Sequence, residues 1–153
     1  MSSEVLVITV EGMRFPLDIV ACPDERQLYV ADSGNGPAEE SVWRVSAANP
    51  SQYVKWLSIP TSGVQTLSVR SPNLLLTSPK SLRLYSTIDG ELQRIIQLPD
   101  YVKYMYHAVE TKRDTFVVGH RGVALSELNT GVSRLSDICV QYLVSFTVIV
   151  HGQ

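Results

Sequence analysis

The chain has 153 residues, 44% of them hydrophobic and 18% charged. That balance supports one domain with a true core and excludes a disordered chain. The net charge of −2, with Arg70, Lys80, Arg83, Arg94, Lys103, Lys112 and Arg113 scattered, excludes a global attraction to DNA, RNA or an anionic membrane.

The first apolar run, 4–10, has no basic segment before it and is too short for a secretory signal. It reads as a strand, with a loop over 11–16 behind it, and a cytoplasmic location is expected. Strand patterns follow at 17–21, 28–32, 42–45 and 52–57. A second group lies at 66–69, 74–78, 82–85 and 91–98. Here the local signal is sharpest. Leu82, Leu84 and Ile88 alternate with Arg83, Tyr85 and Thr87, the period of a strand with one buried face. Leu92, Ile96 and Leu98 recur at even spacing on the other arm, and Asp89-Gly90 between them predicts a two-residue type I′ turn. A third group lies at 107–110, 115–119, 123–126 and 132–135. The last apolar run, 142–150, belongs to a stretch shorter than the roughly 18–20 residues that span a bilayer, and it reads as a strand.

These groups are copies of one unit. Tyr29, Leu75 and Phe116 serve as equivalent anchors, 46 and 41 residues apart. The first unit carries six extra residues within 32–40, and without them the period is close to 41 throughout. Pro50, Gly90 and Gly131 keep the same phase, each between a third and a fourth strand. Four short strands in about 41 residues describe a blade of a β-propeller. The predicted fold is therefore all-β, an incomplete, open propeller forming a single domain over 1–153. Its blades span 17–58, 65–98 and 106–136, with odd flanking strands at 4–10 and 142–150. An open arc leaves edges and faces uncovered, so self-association is expected.

Residues 15–35 resemble an NHL repeat. The family pattern of a proline, a short apolar strand, a polar turn, an apolar strand ending in Asp, an Asn turn and another strand is met by Pro16, 17–21, 23–26, 28–32, Asn35 and 42–45. The later units depart from it: Ser78 stands where the first has Asp32, and the third has Gly119-His120. NHL-like proteins usually form six-bladed rings, about 240 residues at this period. The resemblance implies a non-catalytic protein-interaction scaffold, a truncated piece of a larger propeller. It also leaves open a metal-dependent hydrolase or lyase acting in the central channel, or an RNA-binding domain; the dispersed cations weigh against RNA.

No catalytic motif accompanies the repeat. Ser33 and Ser126 lie in no GxSxG elbow. His107, Glu110 and His120 are the nearest approach to a metal set, but 107 and 110 differ by three and point to opposite faces of a strand. Neither metal nor cofactor is expected. Cys22 and Cys139 read as reduced, packed thiols. Trp43, Trp56 and the cluster Tyr101, Tyr104 and Tyr106 read as blade packing. Asp32, Ser33, Gly34 and Asn35 read as Asx turns rather than a calcium loop. The most individual feature is the inserted loop 32–41, and Asp32, Asn35, Glu39 and Glu40 are its candidate binding residues, for an unidentified protein partner.

Overall fold

A computed structural model describes residues 7–59, 63–64, 66–112, 115–121, 134–135 and 144–150. Among these residues there is no helix, and none therefore long and apolar enough to cross a membrane. The first sheet is a four-stranded antiparallel meander of β1 (Pro16–Cys22), β2 (Gln27–Asp32), β3 (Ser41–Ser46) and β4 (Tyr53–Ser58), in that order. The second repeats it with β5 (Thr66–Arg70), β6 (Asn73–Thr77), β7 (Ser81–Ser86) and β8 (Leu92–Gln97). The third contains β9 (Lys103–Lys112), β10 (Thr115–Arg121), β11 (Arg134–Leu135) and β12 (Val144–Val150), in the order β11-β12-β10-β9. The innermost strands β1, β5 and β9 contact one another in succession. Sheets stacked in this way are consecutive blades of an open propeller.

The apolar alternation of each strand explains the stacking. Tyr29, Ala31 and Val42 of the first blade meet Leu67, Leu74, Leu76 and Tyr85 of the second in one core. Leu75, Leu82, Leu84 and Ile96 on the opposite face of the second blade meet Met105, Ala108, Phe116 and Val118 of the third in another. The second blade is thus covered on both faces, which is why 74–76 reads Leu-Leu-Leu without alternation. Side-chain hydrogen bonds cross the same seams. Leu67 N–H donates to Asp18 Oδ2 at 2.8 Å, and Asn73 Nδ2 donates to Glu110 Oε2 at 3.1 Å.

The structure departs from the sequence reading at four places. Residues 7–10 form no strand, and 4–6 lie outside the described residues. Val144–Val150 is not a first strand beyond the third unit; it pairs with β10, Val117 opposite Val148. The predicted strand at 123–126 lies outside the described residues. A nearly continuous apolar, β-branched run suits a strand bonded along both edges, and periodicity alone does not say which sheet takes it. The hairpin at 86–91 is not a type I′ turn. Ser86 N–H donates to Glu91 O and Gly90 N–H to Ser86 O, closing a four-residue loop in which Gly90 alone has positive φ, at 77°. Type I′ needs positive φ at both central residues, and Asp89 does not adopt it. Finally, Phe116 faces backward onto the second blade, whereas Leu75 faces forward onto the third. Phe116, Val117 and Val118 are apolar on both faces, so a slip of one residue leaves no trace in the pattern.

Candidate functional site

The insertion between β2 and β3 is held at its base by two buried carboxylates. Asp32 is 3% exposed. Its Oδ1 accepts N–H bonds from Phe15 (2.7 Å) and Gly34 (3.2 Å), and its Oδ2 accepts from Arg14 N–H (3.1 Å) and Trp43 Nε1 (3.3 Å). Burial pushes the Asp32 carboxyl up, but these donors outweigh burial and hold its pKa below the ordinary carboxylate value. At the other end Glu40 is also buried. Its Oε2 accepts from Gly63 N–H at 2.8 Å and more weakly from Val64 N–H at 3.4 Å, while its carbonyl accepts from Ile59 N–H. Asp32 therefore ties the loop to the lead-in before β1, and Glu40 ties it to the passage toward the second blade.

Between these anchors the loop is braced internally. Glu39 Oε2 accepts from Asn35 N–H at 3.0 Å and Asn35 Nδ2 at 2.9 Å. Gly34 lies at φ +59°, where a Cβ would meet Glu39 Cβ at 2.5 Å and Glu39 O at 2.8 Å. A side chain is thus excluded both by conformation and by space. Gly34→Ala should cost at least about 2 kcal/mol, the left-handed backbone contributing about 1–2 kcal/mol and the clash the rest. In thermal unfolding that is a fall in Tm of about 5 °C or more; an unchanged Tm would show that the loop does not brace the blade.

The structure thus separates the four residues singled out from the sequence. Asp32 and Glu40 point inward and bond backbone; Asn35 and Glu39 remain exposed with Pro37 and Ala38 at the tip. The other sequence candidates are dispersed. His107 is exposed on β9, Glu110 is buried against Asn73, and His120 is buried on β10. Among the described residues no three His, Cys, Asp or Glu side chains converge as a metal set. Cys22 is buried and unpaired, its thiol pushed up chiefly by burial; Cys139 and Ser126 lie outside the described residues. Trp43 packs against Tyr53, and Trp56 against Tyr29 with the Arg44 guanidinium 5.5 Å from its ring centroid. Tyr101 is exposed.

One polar node was not legible beforehand. Glu25, in the turn after β1, accepts from Tyr29 OH at 2.7 Å, from Ser71 Oγ at 2.9 Å and from Thr87 Oγ1, joining the first two blades. Burial raises its pKa, and the bonds from Thr87, Tyr29 and Ser71 more than reverse that. Burial and the same carboxylate push the Tyr29 phenol upward. Within the sequence Glu25 is one carboxylate in a polar turn, and two of its three partners come from positions 46 and 62 residues away.

No protein-family model and no curated relative matches the chain. Matches to solved structures include KlHsv2 with loop 6CD replaced by a Gly-Ser linker. That match has 15% identity over 69% of this chain and 32% of that one, with a TM-score of 0.42. The AfRom2 CNH domain matches at 10% identity over 90% of this chain and 35% of that one, TM-score 0.42. A complex of a variant S. cerevisiae dbp5 bound to nup159, a variant gle1, IP6 and ADP matches at 11% identity over 90% and 45%, TM-score 0.36. The chain spans a third to a half of the length of these structures. The blade assignment stands on the sheet order and stacking described above.

Proposed function

We propose that the chain is a non-catalytic protein-interaction module of the NHL-like type, and that the loop between β2 and β3 is a contact element. The observation that carries this reading is the loop's construction: two buried carboxylates fix its ends, while Asn35, Pro37, Ala38 and Glu39 are exposed between them. A loop already ordered by Asp32 and Glu40 loses little conformational entropy when a partner docks. Asn35 and Glu39 offer hydrogen-bonding and acidic groups, so the fitting partner presents a basic or amide-rich protein surface. The resemblance of 15–35 to an NHL repeat supports the same reading.

The test uses Glu39→Lys, which reverses the exposed charge and leaves Asp32 and Glu40 intact. The far-UV spectrum should stay close to wild type, and Tm should fall by only a few degrees, because the two Asn35 bonds that Glu39 accepts are exposed. Cross-linking in the cell, read by mass spectrometry, should lose a defined partner, whose affinity for the purified variant is lower by about tenfold or more. An unchanged cross-linking profile would end the assignment of this loop.

A further inference from the structure

The three blades do not have the same surroundings, and the difference can be followed position by position. In the second blade Leu67 pairs with Leu76, and in the third Ala108 pairs with Val118. With Leu74 and Phe116 these residues form the face turned to the preceding blade, and all six are 1% exposed or less. The corresponding pair in the first blade is Ile19 and Val30, with Leu28 beside them. Here Val30 is 7% exposed, but Ile19 is 59% exposed and Leu17 50%. The same chemistry that makes a dry seam twice is present a third time with no blade against it among the described residues. A groove of about 400 Å³ opens there, lined by Leu17, Ile19, Leu28, Val30 and Val45, with Ile8, Val10 and Met13 of the lead-in beside them.

The opposite face shows the complementary vacancy. Tyr29 in the first blade and Leu75 in the second point to the following blade and are 0% and 1% exposed. Their counterpart in the third is Val117, which pairs with Val109. Val117 is half-buried and Val109 is 36% exposed. Among the described residues, one end of the arc therefore presents a preceding-blade face, and the other end a following-blade face. These are the two halves of the seam that this chain already makes twice within itself.

We propose that a second copy of this chain covers both faces. The third blade of each copy packs on the first blade of the other, around Leu17 and Ile19 on one side and Val109 and Val117 on the other. The two seams exchange under the twofold axis, so the interface as a whole is isologous, and three blades from each copy make a six-bladed ring, within the four to eight blades of closed propellers. Both seams of the ring are alike, so the assembly has twofold symmetry about the propeller axis. The arrangement is separate from the role of the β2–β3 loop, and either can fail without the other.

The experiment uses the intact chain with Ile19→Asp and Val109→Asp, both at exposed positions, so that the blades keep their own cores. At about 50 μM, far above a micromolar dissociation constant, light scattering should give twice the 17.0 kDa of one chain. Each single variant places an aspartate in both seams, so it should weaken self-association by about a thousandfold or more and run as a monomer with an unchanged far-UV spectrum. An equimolar mixture of the two should form dimers again, because one seam of the mixed pair carries both substitutions and the other carries neither. A monomeric wild type, a dimer indifferent to Ile19→Asp or Val109→Asp, an open-ended polymer, or a mixture that stays monomeric would each overturn the proposal.

Discussion

Replacing Asp32 with alanine should destabilise the fold by about 3 kcal/mol, because buried donors stripped of their acceptor cost about 1–3 kcal/mol each. The carboxylate accepts from three backbone N–H groups and from the Trp43 indole, and alanine offers none of them an acceptor. Against a total stability of about 5–15 kcal/mol for a domain, that loss moves the urea midpoint down by about 1–2 M. The effect has a pH signature. Asp32 has a folded pKa below its unfolded value near 3.9, so its ionised form stabilises the fold fully above about pH 4. That contribution is lost as pH falls through the folded pKa. The gap between wild type and Asp32→Ala should therefore be widest at neutral pH and narrow below pH 4. Parallel urea titrations at pH 7 and pH 3 check this; a gap of constant width would mean that the carboxylate's charge contributes nothing.

Phe116→Ala should cost about 3–5 kcal/mol, the usual range for emptying a phenylalanine site in a core. Phe116 is fully buried in the seam between the second and third blades, among Leu75, Leu82, Leu84 and Val118. In a stacked repeat each unit is supported by its neighbours, so the damage should be local before it is global. Amide hydrogen exchange should accelerate in β9 and β10 well before β1 to β4, which are held by the other core. Uniform acceleration across all three blades would show instead that the arc unfolds as one cooperative unit.

Features of this fold differ in the kind of signal they leave in the sequence. The eight strands of the first two blades and the all-β class could be read from alternation and from Pro, Gly and Asp at the turns, because those constraints act on neighbours along the chain. The inserted loop was also visible, as six residues in excess of the period. Its internal division was not. Glu39 and Glu40 are adjacent acidic residues, yet one bonds Asn35 at the surface and the other reaches backbone N–H groups 23 and 24 residues away. The hairpin loop misled in a related way: Asp-Gly is compatible with type I′, but a longer loop with Gly90 alone in the left-handed region satisfies the same residues.

The sequence by itself determined that this chain would be a set of short antiparallel strands repeating near every 41 residues, since period-two burial and turn chemistry are local properties. Only the tertiary structure decided which face each apolar residue serves and which strand completes the third sheet. A strand that is apolar on both sides satisfies either register and either neighbour, and the choice is made by the surfaces that meet it. The same holds for Ile19 and Leu67, alike in chemistry and placed in equivalent strands. One is exposed and the other is not, because only the second has a blade in front of it.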